Sequence, residues 1–117
     1  LQPTALYRIH TCKPDKVYLS WVGKKAPSAT VHRAIAALRI GDALTLRPRQ
    51  DGTPGWELAN SSNQVVGLMA KEFRPPLGRI IAVRVAAIQV RKAKPGETDI
   101  RSPRWEVVLP EFEYIAA

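Results

Sequence analysis

From Gly41 to Phe73, apolar and polar positions alternate in three short runs, each cut off by turn chemistry. Leu44 and Leu46 alternate with Ala43, Thr45 and Arg47, the period-two pattern of a strand with one buried face. Asp51-Gly52 and Pro54-Gly55 turn the chain back. Trp56 and Leu58 share the next face, and Asn60-Ser61-Ser62-Asn63 makes a second reversal. Val66, Leu68 and Ala70 form the third apolar row, with Gly67 marking a place where backbone or ligand approaches closely. A three-stranded meander is the expectation, and the rest of the chain reads as the means of closing it.

Leu1 to Thr4 reads as a frayed end. Tyr7, Ile9 and Thr11, then Val17, Leu19 and Trp21, predict a hairpin turning at Lys13-Pro14-Asp15-Lys16 and ending at Gly23-Lys24-Lys25-Ala26-Pro27. Ser28-Ala29-Thr30 supplies hydroxyls that can cap a helix, and Val31, Ile35 and Leu38 follow at helical spacing. Gly41 is placed to end that helix, whose expected role is to plug one end of a barrel. Arg74-Pro75-Pro76-Leu77-Gly78 breaks the chain, since consecutive prolines remove two amide donors.

RIIAVRVAAIQVRK is the longest strand candidate. Ile81, Val83 and Val85 share one parity and Ile88 and Val90 the other, so a β-bulge near Ala86-Ala87 is needed to bring all five inside. Arg84, Gln89 and Arg91 then point outward. Lys94 to Ser102 is a polar loop, and Trp105, Val107 and Leu109 form a last strand ending before Pro110. The predicted fold is mainly β: a small, partly open, OB-like barrel of about six to seven strands with one short helix.

Composition changes the picture in two ways. A chain of 117 residues is expected to be one domain, residues 1–117, with one core. It opens on Leu1, which points to a module taken from a longer parent. The single cysteine, Cys12, cannot form an internal disulfide, and a reducing, cytoplasmic setting is the simpler expectation. No apolar run reaches the length of a membrane span, and no signal-peptide pattern opens the chain.

Charge is the second. Eighteen Lys and Arg stand against ten Asp and Glu, a net charge of +8. The first 94 residues carry +11 and the last 23 carry −3. Such an excess favours polyanions through counterion release, with nucleic acid the commonest. The reading requires the surplus cations to gather on one side of the fold.

Catalytic chemistry is thinly stocked. A nucleophile needs an adjacent base, and His10 and His32 are the only histidines; Cys12 lies two residues from His10, but a buried thiol near a surface imidazole is the plainer account. One Cys and two His fall short of a metal site. GxxxxGK[ST] and GxGxxG are both absent. Glu106, Glu111 and Glu113 read as a solvated face. The expectation is a non-enzyme with no cofactor, no metal and no small-molecule substrate.

Binding chemistry is better supplied. Small barrels hold nucleic acid in a basic groove with aromatic platforms for the bases. The phosphate candidates are Arg47, Arg49, Lys71 and Arg74, with Lys24 and Lys25 as a second group. Trp56 and Phe73 are the stacking candidates, against a competing core role for every tryptophan.

The run Gly41-Asp42, LTLRPR, WEL and Val66-Gly67-Leu68-Met69-Ala70-Lys71-Glu72 resembles a HIRAN-type domain over about a third of the chain. That resemblance implies a six-stranded OB-like barrel, attached to helicases and repair enzymes, that holds single-stranded DNA. Arg47 and Lys71 match its basic positions. Its asparagine-rich loop is replaced here by Asp51-Gly52-Thr53-Pro54-Gly55-Trp56. A second resemblance, carried by GWEL, VVGLMAKEFRPP, VAAIQVRK and SPRWEVVLPEFEY, is to the accessory region beyond the motor in some bacterial RecQ-like ATP-dependent DNA helicases. It implies a motor domain elsewhere in the parent chain and DNA, single-stranded or at a junction, as the partner. The alternative is a protein-interaction module that docks a motor domain or partner without touching nucleic acid.

Overall fold

Residues 7–116 are described by the computed structural model; the expected frayed end at residues 1–4 lies outside them. In chain order they form β1 (Tyr7–Thr11), α1 (Thr30–Ala36), β2 (Ala43–Pro48), β3 (Trp56–Ala59), β4 (Val65–Leu68), β5 (Gly78–Lys92) and β6 (Arg104–Ala116). Two 3₁₀ turns, Pro14–Lys16 and Val22–Lys24, lie between β1 and α1. The strands make one antiparallel sheet in the order β1-β6-β5-β2-β3-β4, curled into a half-barrel. The mainly-β, partly open barrel with one helix is the observed architecture.

The three meander strands form where predicted, but β3 and β4 are buried on both faces rather than one, with Glu57 and Ala59 inside as well as Leu58. Leu44 and Leu58 are buried, and Val66 and Leu68 supply the third row. The close approach expected at Gly67 is an ordinary one, since a Cβ there would lie 3.6 Å from the Leu58 side chain. The tight glycine is Gly23, where a Cβ would stand 2.7 Å from the Trp105 ring. No larger residue fits between that turn and β6.

The expected hairpin of 7–12 with 17–22 does not form. β1 pairs instead with the C-terminal half of β6, from Tyr7–Ile115 to Thr11–Glu111. Pro14 starts a 3₁₀ turn, and of the would-be second strand only Val17 makes a bridge, to Met69. Flanking bonds, Tyr18 N to Leu68 O at 2.8 Å and Ala70 N to Lys16 O at 2.9 Å, tie this segment to the end of β4. The curl is thereby drawn together by chain that follows one edge strand and chain that follows the other. A distant thirteen-residue strand offered β1 a longer ladder than its own neighbour could.

The helix begins where expected, but Ala29 is its N-cap and no side chain caps it. It ends at Ala37, and Gly41 serves the following turn with φ +92°, its N–H donating to Val85 O at 2.8 Å. Ala34 and Ile35 are buried, and the helix packs against both β6 and β4. Those strands stand well apart in the sheet order, so α1 bridges them.

The bulge in β5 falls between Val85 and Ala87, as the change of parity requires. Val85 pairs with Pro110, so the extra residue sits beside the one β6 position without an N–H. The strand expected to stop before Pro110 runs through it to Ala116. A second, unanticipated shift between Ile80 and Ala82 leaves Ile81 42% exposed, and Val90 is 46% exposed, so neither joins the core. Arg84 does not simply face water: its guanidinium bonds Glu111 at 2.7 Å and Glu113 at 3.2 Å across the sheet.

Candidate nucleic-acid interface

The loop between β2 and β3 and the segment after β4 frame the candidate surface. Arg49 N donates to Gly55 O at 3.0 Å, closing the loop immediately after the Pro48–Trp56 pair. Asp51 stiffens it by accepting from Thr53 N at 3.0 Å. Opposite, Met69 N bonds Trp56 O at 3.0 Å and Phe73 N bonds Ala70 O at 3.1 Å, setting residues 69–74 beside the loop.

Three adjoining clefts run along this face. The first, about 540 Å³, is lined by Trp56, Lys71, Phe73 and Arg74 with the loop residues Thr53 to Gly55. The second, about 460 Å³, shares that loop and Lys71 and adds Tyr18 and Arg49. The third, about 380 Å³, shares Arg49 and adds Trp21, Lys25, Asp51 and Glu57. Cations and aromatics therefore share one run of adjoining clefts, with Asp15, Asp51, Glu57 and Glu72 among them.

Each predicted residue has a definite place. Lys71 and Arg74 are exposed, with Arg74 Nη1 held by the carbonyls of Lys71 at 3.0 Å and Phe73 at 2.9 Å. Trp56 is half-buried, packing on the core while lining the first cleft. Lys25 Nζ lies 5.1 Å from the Trp21 ring centre and Lys24 Nζ 5.2 Å from that of Tyr18. Lys24 also donates to the Tyr18 hydroxyl at 2.6 Å, and this bond holds its ammonium above the usual lysine range. Tyr18 and Trp21 are additions that a strand pattern over 17–22 does not reveal. The available signal is spacing: Trp21 and Lys25 are four residues apart, a helical rather than extended offset.

Two predicted residues are corrected. Phe73 is 3% exposed and stacks on Phe112 with ring centres 5.7 Å apart, so it belongs to the core and offers no face to a base. Arg47 is occupied: its Nε bonds Glu57 at 2.7 Å and its Nη1 bonds Asn63. Glu57 is 4% exposed, and Arg47 is the cation that neutralises it there.

The surplus cations are gathered only in part. Arg33 lines a separate cleft beside α1, and Arg104 another beside His32. The C-terminal carboxylates Glu111 and Glu113 hold Arg84 and leave the cations of the three clefts alone.

The two histidines and the cysteine lie apart from the three clefts. Ser102 Oγ donates to Lys25 O at 2.8 Å and lies 3.2 Å from His32 Nε2, a contact whose direction depends on the imidazole tautomer. The His10 ring stacks on Phe112 at 6.4 Å, and Cys12 is buried. Burial pushes the Cys12 thiol up to about 11. With the folded value above the ordinary value of 9.0, thiolate is scarce at neutral pH, and any stability the thiol contributes is lost as pH rises from 9 through 11. Alkylation by iodoacetamide at pH 8 is therefore expected to be at least about tenfold slower in the folded chain than in urea, followed by mass spectrometry.

Among the described residues no group of three or more His, Cys, Asp or Glu is placed to hold a metal, and no helix is long and apolar enough to cross a membrane. No protein-family model matches the chain, and neither the curated proteins nor the solved structures provide a match.

Proposed function

We propose that this domain is a non-catalytic nucleic-acid-binding module, with a single strand lying along the three clefts. The reading rests on one observation: Lys25, Arg49, Lys71 and Arg74 line these clefts together with Trp21, Tyr18 and Trp56, beside the carboxylates Asp15, Asp51, Glu57 and Glu72. A single strand needs cations for its phosphates and flat, apolar surfaces for its unstacked bases, and this face supplies both. A purely electrostatic docking surface for an acidic protein has no need of the aromatics. The resemblance to HIRAN-type domains and to the accessory region of RecQ-like helicases supports a place beside a DNA motor in a longer parent, with DNA as the polyanion.

Fluorescence anisotropy with a labelled oligothymidine tests this. Affinity is expected to fall with salt by about 0.7 log units per log unit for each phosphate neutralised. The double variant Lys71→Glu/Arg74→Glu lowers both the affinity and that slope, by roughly 0.7 for each phosphate no longer neutralised. Trp56→Ala weakens binding by about 1–3 kcal/mol if a base stacks there. Absence of binding at low salt, or binding that ignores the charge reversals, defeats the proposal.

A further inference from the structure

One charged group on the cleft face is left incompletely bonded by the fold. Arg49 stands where the second and third clefts meet, its side chain 22% exposed and its Cδ lying 3.3 Å from where a Cβ on Gly55 would be. Its Nη2 donates to Asp51 Oδ2 at 2.6 Å, while Asp51 Oδ1 is engaged by Thr53 N at 3.0 Å. Arg49 Nε is buried and has no hydrogen-bond partner among the described residues.

A guanidinium presents Nε–H and Nη2–H side by side, a fork matched to two oxygens of one anion. Asp51 fills only one prong, because the loop backbone holds its other oxygen. A tetrahedral phosphate that takes the place of Asp51 and so reaches Nε can fill both prongs and still offer an oxygen to a neighbouring cation. Lys25 lines one of the two clefts that Arg49 joins, and Lys71 the other. Of the other carboxylates on these two clefts, Glu57 is held by Arg47, while Asp15 and Glu72 line the second cleft with Arg49 and Lys71 and have no ion pair with Arg49.

We infer that Arg49 is an exchangeable phosphate site, in which the incoming group displaces Asp51 from Nη2 and engages Nε as well. Asp51 is then a built-in competitor with the ligand, and its removal tightens binding. The inference deepens the nucleic-acid reading by giving the clefts a phosphate-positioning residue, and it rests on that reading for the source of the phosphate. A phosphodiester and free phosphate share the chemistry and are separated by the test.

The folded chain carrying ¹⁵N-arginine is titrated with inorganic phosphate, and in parallel labelled oligothymidine is bound to the wild type, Asp51→Asn, Arg49→Lys and the double variant. The Arg49 Nε–H resonance is expected to shift with phosphate. Asp51→Asn is expected to tighten oligothymidine binding by about two- to fivefold, the range of an exposed ion pair removed from competition. In the Arg49→Lys background that gain disappears, since an ammonium has no fork to fill. Oligothymidine that binds the wild type but is held no better by Asp51→Asn overturns the exchange and leaves the nucleic-acid reading standing. A phosphate-induced shift without oligothymidine binding assigns the site to free phosphate and removes the nucleic-acid reading instead. No shift and no gain overturn the site.

Discussion

Phe73→Ala is expected to destabilise the fold by about 3–5 kcal/mol, while leaving oligonucleotide affinity of the folded chain within about twofold of wild type. Phe73 is 3% exposed and its ring meets that of Phe112, itself fully buried, so truncation opens a cavity at the centre of the curl. The β5–β6 ladder passes Phe112 opposite Val83, and β1 passes it opposite His10, so three strands line the site and cannot all collapse into it. Urea unfolding should show a lower midpoint with an unchanged slope, the signature of reduced stability with intact compactness. A small stability change accompanied by a large loss of affinity would return Phe73 to the role of a base platform.

Arg47→Ala is expected to cost about 2–4 kcal/mol, for a different reason. Its Nε is the 2.7 Å partner of a Glu57 carboxylate whose side chain is only 5% exposed. Without it the nearest remaining donor is Gln50 N at 3.4 Å, too long to stabilise a buried charge. The expectation lies below that for a wholly buried pair because the Arg47 side chain is 20% exposed and water can partly replace it. Adding Glu57→Gln should recover a large part of the loss, since the second change removes the stranded charge. Nucleic-acid affinity should barely move in either variant. Equal losses in Arg47→Ala and the double variant would show that the pair is not what the position contributes.

These two residues show why the candidate surface is only partly legible in the sequence. Arg47 and Arg49 lie two apart in a basic strand end, and nothing local distinguishes them. What separates them is the β2–β3 register, which sets Arg47 opposite Glu57, while Arg49 passes into the loop beside Asp51. Phe73 has a charged pair before it and prolines soon after, a context that locally reads as exposed. Its burial follows from the 69–74 segment folding back toward β6. Lys71, Arg74 and Trp56 can be found because they are close in sequence to the meander that brings them together. Tyr18 and Trp21 escape notice because they reach the site from another part of the chain, through the bonds between 16–18 and 68–70.

What the chain determined by itself was local: the three meander strands, the start of the helix, the bulge in β5, and a cationic excess suited to a polyanion. Alternation, turn residues and parity act over a few positions, and a strand with one buried face must show them wherever it lies. Only the tertiary structure decided that β1 pairs with β6, that Pro110 stays inside a strand, and which cations remain available for a ligand. Those outcomes depend on competition between distant partners for hydrogen bonds and charge. A sequence records the competitors, whereas the folded sheet selects among them.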